Sequence, residues 1–347
     1  IHVHGVMTSA AAEGVDRDGS HRLEAYLARI GLEHVERRCS FPLLAAIVEA
    51  HLASVPFENL ELHRGGGSVS LDETALFDKL VLRRRGGFCF EVNGLLHAML
   101  GELGYQSRLV PAFVFANGGF RPVPTHVLLV VGGVSDRPGD LFLVDVGFGE
   151  PALEPLLYAT DGAEQCTCEG LRSRLCISEG GDVVLEWFQE GDWAPRLRWA
   201  DEDYGTLKGA PDLASFQQYC DQVTAKSIFT EKLIMTRLTR HEKVTLAGTV
   251  LKTTSPRVGG TKSILDLSAH EPDEDKGNGA SGVEGEAQPP SNEATQGTHR
   301  VRETRMVKCT ERVRMAMLEH FAIGMSETES LDLSHSIRAD SGIWGHL

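Results

Sequence analysis

A cysteine is the first residue here that could carry chemistry. In Arg83-Arg84-Arg85-Gly86-Gly87-Phe88-Cys89-Phe90-Glu91, two glycines end one helix and let the chain turn sharply, and Cys89 opens an apolar helical repeat. Unpaired N–H groups and the helix dipole stabilise negative charge at such a terminus, which predicts a reactive thiol of lowered pKa. The competing reading is a small buried hydrophobe. A thiolate nucleophile needs a base, and the base needs an orienting group. His126 begins the run His126-Val127-Leu128-Leu129-Val130-Val131, Asp145 lies in Leu141–Gly149, and Gly132–Asp140 between them has turn composition centred near position 136. An antiparallel hairpin folded there pairs positions summing to about 272 and sets His126 opposite residue 145 or 146. Cross-strand neighbours have Cβ atoms roughly 4.5–5.5 Å apart. A carboxylate in an apolar strand is costly unless paired, and the imidazolium of His126 is the partner on offer to Asp145. Cys89, His126 and Asp145 thus read as nucleophile, base and orienter.

The elements that must position these residues divide the chain. Apolar positions Leu23, Tyr26, Leu27 and Ile30 fall at helical spacing, and Ser40 can cap a helix that ends before Pro56. A third helix opens with the capping-box spacing of Ser70-Leu71-Asp72-Glu73 and runs through Leu76, Phe77 and Leu80. Val92, Leu95, Leu96, Met99, Leu100 and Leu103 form the stripe of a fourth, from about Phe90 to Leu103, stopped by Gly104. Strand signals follow at Leu109–Phe115, His126–Val131, Leu141–Val146, Arg174–Ile177, Val183–Phe188 and Arg196–Trp199, most simply an antiparallel barrel or sandwich. A connecting helix at Asp212–Gln222 leads to strands at Leu233–Leu238, Lys243–Leu246 and Thr249–Thr253 and a final helix at about Arg302–Phe321. The fold class is therefore α+β.

In combination, Arg84–Glu91 with Asn93-Gly94-Leu95-Leu96, Thr125-His126-Val127 and Asp145-Val146-Gly147-Phe148-Gly149 resemble the signature segments of the arylamine N-acetyltransferases. Val55-Pro56-Phe57-Glu58-Asn59-Leu60 resembles the segment before that family's nucleophile, and the likeness runs from about Tyr26 to Leu251. It implies three domains with a papain/transglutaminase-like cysteine core: a helical bundle over 7–104, a β-barrel over 105–211, an interdomain helix over 212–223 and an α/β lid over 224–347. It also implies ping-pong transfer of an acetyl group, or a malonyl group as in some fungal members, from an acyl-coenzyme A to arylamines, arylhydroxylamines or hydrazines, with no metal. Phe148 matches a position lining the acceptor pocket, and Phe88 beside the nucleophile joins it as a substrate contact. Tyr219 and Ser227 fall in a segment resembling one that touches coenzyme A. A monomer or weak homo-oligomer and a fungal source complete that expectation. A thiol hydrolase or transglutaminase-like enzyme could use the same triad, but it would lack the Gly-Phe-Gly and Val-Pro-Phe-Glu-Asn-Leu context. A non-catalytic scaffold would require a broken triad.

Composition sets outer bounds. The 347 residues exceed one ordinary domain, and the 41% hydrophobic and 24% charged fractions exclude wholesale disorder. A formal charge of −15 argues against sequence-independent nucleic-acid binding. Much of that charge is local: Glu271–Gln296 holds seven acids against one lysine, a net of −6, and reads as a disordered insertion remote from the motifs. Seven irregularly spaced cysteines read as free thiols in a reducing, cytoplasmic compartment. No apolar run suits a membrane span or signal peptide, and Met7 is a candidate natural start. The Arg83–Arg85 run suits helix capping better than a phosphate clamp, Glu91 an arginine pair, and His97 a solvated position. Cys166, Cys168 and Cys176 lack a fourth zinc ligand at suitable spacing, and Gly65-Gly66-Gly67 is a flexible loop.

Overall fold

In the computed structural model, residues 19–63, 68–200, 207, 212–225, 227–255, 262–267 and 311–323 are described. Gly65–Gly67, the 271–296 stretch and 301–310 lie outside them. Helices α1 (Gly19–Ile30), α2 (Phe41–Ser54), α3 (Glu73–Phe77) and α4 (Cys89–Leu103) form the N-terminal layer. Ser40 caps α2, with its Oγ accepting from Leu43 N, and Gly104 closes α4 with φ +98°. The cap of α3 is not Ser70. Asp72 accepts from Ala75 N at 2.9 Å, and Ser70 Oγ accepts from Asp72 N at 3.2 Å. After α3 the chain continues as a π-helical turn, Asp78–Leu82, which buries Leu80.

Strands β1 (Phe57–Glu58), β2 (Gln106–Ala116), β3 (Gly119–Phe120), β4 (His126–Gly132), β5 (Phe142–Val144) and β6 (Leu156–Leu157) precede β7 (Gln165–Cys166), β8 (Arg172–Ile177), β9 (Val183–Gln189) and β10 (Asp192–Trp199). All but β1 join a nine-stranded antiparallel sheet in the order β6-β5-β4-β2-β10-β9-β8-β7, with β3 on β2. A bridge from Asp161, beyond β6, to Cys176 on β8 nearly closes the barrel. β4 is buried on both faces, which is why it reads as a continuous apolar run. Val127, Leu129 and Val131 join the helical core, while Leu128 and Val130 join the barrel core.

A 3₁₀ turn capped by Asp212 leads into α5 (Gln217–Ala225), followed by α6 (Ile228–Glu231). Strands β11 (Ile234–Leu238), β12 (Lys243–Ala247), β13 (Val250–Thr254) and β14 (Lys262–Asp266) then form a second sheet, ordered β1-β11-β12-β13-β14. The sequence gives no strong sign of β14, whose residues are exposed. A helix over 311–321, α7, buries Val313, Met317 and Phe321 against Met235, Val244 and Leu246 of this sheet. Asn59, directly after β1, ties that strand to α6, β11 and the link between them: its Nδ2 donates to Phe229 O and Lys232 O at 2.7 Å each, and its Oδ1 accepts from Ile234 N.

Candidate active site

The turn before α4 works by steric economy. Neither Gly86 nor Gly87 has positive φ; Arg84 does, at +53°. A Cβ on Gly86 would stand 2.0 Å from Pro56 O, and one on Gly87 would stand 2.6 Å from Glu91 Oε2. The glycines are needed because backbone and a buried carboxylate press against them, more than for the sharpness of the turn. Glu91 pairs with a lysine and not an arginine: Lys79 Nζ lies 2.7 Å from its Oε1, while its Oε2 accepts from Phe88 N. Burial opposes the charge on Lys79, but Glu91 and Glu58 outweigh it and hold the ammonium protonated. Arg85 is neither a clamp nor a cap. Fully buried, it donates from Nε to Glu58 Oε1 at 2.9 Å. Arg83 pairs with Asp78 at the surface.

These contacts present Cys89 as the first residue of α4, 5% exposed, its Sγ 3.9 Å from Thr125 O. On the hairpin, Leu129 pairs with Val144 and Val131 with Phe142, a register sum of 273, one residue from the expected 272. The ladder stops at Val144, and beyond it Asp145 reaches His126 by its side chain: Nε2 to Oδ2 is 2.7 Å. That leaves Nδ1 as the ring nitrogen for the Cys89 sulfur, which interacts with the imidazole. Burial disfavours the imidazolium, but Asp145 and Cys89 outweigh it and push the His126 pKa up to about 10.

Asn93 is the site residue whose role the sequence does not disclose. One turn after Cys89, its Nδ2 donates to Val127 O (2.8 Å) and Asp145 Oδ1 (3.0 Å), and its Oδ1 accepts from Val146 N. Gly147 N donates to Asp145 Oδ1 as well. A Cβ on Gly147 would lie 2.6 Å from Cys89 Cα, so this glycine lets the hairpin touch the start of α4. In the sequence Asn93 is one of four polar side chains on α4, with Glu91, His97 and Glu102, and nothing in its spacing marks that role.

The remaining candidates sit at varied distances from this centre. Phe148 meets His126 edge-on with ring centroids 5.2 Å apart. Phe88 is fully buried, edge-to-face against Phe57 and Phe229. Tyr219 is half-buried beside Phe216, and Ser227 Oγ caps α6 by accepting from Phe229 N. His97 is not solvated: half-buried, its Nδ1 lies 2.7 Å from Ser107 Oγ, and burial lowers its pKa. Among the described residues, Glu154, Cys168 and Glu169 bring ligand-type atoms within 4.8 Å of one another, without Cys166 or Cys176.

A family model described as N-acetyltransferase matches residues 40–274, the span that carries every one of these contacts. The chain belongs to the arylamine N-acetyltransferase family. It is 39% identical over 186 residues to the arylamine N-acetyltransferase of Mycolicibacterium smegmatis, covering 52% of this chain and 65% of that protein. The chain spans about half to two thirds of the length of the curated relatives it matches. A solved M. smegmatis N-arylamine acetyltransferase superposes with TM-score 0.68 at 26% identity, over 92% of this chain and 99% of that one. The arylamine N-acetyltransferase of Mycobacterium marinum in complex with CoA shares the fold, with TM-score 0.68, 24% identity, and 91% and 99% coverage.

Proposed function

We propose that this chain transfers an acetyl group from acetyl-coenzyme A to an arylamine, arylhydroxylamine or hydrazine through a thioester on Cys89. The observation that carries the reading is the linked set Cys89, His126 and Asp145, with His126 held by a 2.7 Å bond to Asp145 and protonated up to about pH 10. Family membership and the relatives' names support the substrate class. A CoA complex of a protein with this fold supports the donor.

In the first half-reaction the Cys89 thiolate attacks the thioester carbonyl. The tetrahedral adduct collapses by expelling coenzyme A, whose sulfur takes the proton from the His126 imidazolium. The amine then attacks the acetyl-cysteine, neutral His126 accepts the amine proton, and the thiolate leaves, restoring the ion pair. Asp145 holds the imidazole and favours its charged form, and Asn93 orients Asp145. Phe148 would line the acceptor side, Phe88 would back the nucleophile from within the core, and Tyr219 and Ser227 would contact coenzyme A.

Initial rates with donor varied at several arylamine concentrations should give parallel double-reciprocal lines. Intersecting lines would require a ternary complex and contradict the acyl-enzyme. Competition of acetyl-, propionyl- and malonyl-coenzyme A with one neutral arylamine reads the donor preference, for which acetyl is the expected winner.

A further inference from the structure

β10 departs from regular pairing at one residue. Pro195 pairs with Glu186 and Leu197 with Leu185, so Arg196 is the extra residue of a β-bulge against β9. Bulges re-aim a side chain at the expense of a ladder position. This one lays the guanidinium over Trp187, with Cζ 4.3 Å from the ring centroid, and over Phe148 at 5.4 Å. Phe148 itself stands between Trp187, 5.9 Å away, and His126, 5.2 Å away. Arg196 is thus one aromatic ring removed from the imidazole. Among the described residues it has no hydrogen bond or ion pair, and its Nε is buried without a partner. Burial lowers its pKa; Glu150, which acts the other way, is already held by Lys243 Nζ at 2.6 Å. A half-buried guanidinium without an anion is costly, and its rigid fork of donors matches a carboxylate.

We propose that Arg196 is a specificity-determining residue that binds a carboxylate carried by the substrate of the Cys89 site, an inference that rests on the acyl-transfer reading above. The carboxylate can belong to the amine, as in 4-aminobenzoate, or to the acyl group, as in malonyl-coenzyme A. The placement favours the amine. A benzene ring alongside Phe148 separates an amino group at His126 from a carboxylate at Arg196, whereas a malonyl carboxylate lies one methylene from the reacting carbon.

The test compares the unmodified chain with Arg196→Met, which keeps the length and apolar contact of the side chain but not its charge. One arm takes the kcat/KM ratio of 4-aminobenzoate to 4-methylaniline with acetyl-coenzyme A; the other takes the ratio of malonyl- to acetyl-coenzyme A with 4-methylaniline. A fall of about tenfold or more in the first ratio, the size expected for loss of a charge-assisted hydrogen bond, supports an amine carboxylate. The same fall confined to the second supports an acyl carboxylate. Both ratios unchanged, or equal losses for neutral and carboxylated substrates, overturn the inference and leave Arg196 a packing residue. Independently of any variant, 4-methylbenzoate should inhibit the unmodified chain about tenfold more tightly than 4-methylbenzamide; equal inhibition overturns the assignment to an amine carboxylate. A chain that acetylates 4-methylaniline yet fails these comparisons loses only this inference, whereas one that acetylates no amine loses the acyl-transfer reading as well.

Discussion

The protonation of His126 controls the proposed chemistry. The folded pKa is raised to about 10 from the ordinary 6.5, so the imidazolium and its ion pair persist across neutral pH and are lost as pH rises through 10. The rate of acetyl transfer, read as kcat/KM against pH, should therefore hold across neutral pH and fall as pH rises through about 10. A profile that falls already through about 6.5, the ordinary histidine value, would contradict the raised pKa. Asn93 is a second residue that the proposed chemistry uses. It touches Asp145, Val127 O and Val146 N but no reacting atom, so it is a positioning residue. Asn93→Ala should lower kcat by about 10- to 100-fold with little change in KM, as expected when a catalytic group is misplaced by a fraction of an ångström. A proportionate rise in KM with unchanged kcat would speak against that role. Side-chain types and spacing make Cys89, His126 and Asp145 legible in the sequence. Asn93 is not, because its work depends on the hairpin and α4 meeting.

At the scale of elements, the closest approach is that of the hairpin to α4 at Gly147. Gly147→Ala would set a methyl group 2.6 Å from Cys89 Cα. The crowding should cost about 1–3 kcal/mol of stability and, because it falls on the backbone of the proposed nucleophile, a larger proportional loss of acylation rate. Urea unfolding and single-turnover acylation measured together check this; full activity at normal stability would contradict the contact. Hydrophobic period and caps render α1, α2, α4 and most barrel strands readable, and the hairpin centre comes within one residue of its register. What escapes has long-range causes. Arg85 and Lys79 look like surface cations in the sequence, but Glu58 and Glu91, 27 and 12 residues distant, draw them into the core. The Gly86-Gly87 pair suggests a turn, yet the requirement at Gly86 comes from Pro56 on another segment. β14 has no buried face to impose an apolar alternation.

Across the whole molecule, helices, barrel and second sheet share polar anchors in the interior, and these set how the fold responds to acid. His51 is fully buried between α1 and α2, with Nδ1 2.9 Å from Tyr26 Oη. Burial first, and Arg29 second, lower its pKa to about 3. A histidine whose folded pKa is depressed contributes stability that is present above the unfolded value near 6.5 and lost as pH falls towards 3. Between pH 6 and 4 the unmodified chain should therefore lose about 1.4 kcal/mol per pH unit more than His51→Gln, read from urea midpoints at each pH. Parallel curves would contradict the assignment. The formal charge of −15 carries no comparable information, since −6 of it falls in 271–296, which holds none of the site residues. Whether acyl transfer passes through Cys89 can be read from the mass of the intact protein. Mixed with acetyl-coenzyme A and no acceptor, the chain should gain one acetyl group on Cys89 and lose it on addition of an arylamine, with stoichiometric N-acetylarylamine formed. No added mass, or an acetyl group that is still acquired by Cys89→Ala and discharged to the amine, would contradict it.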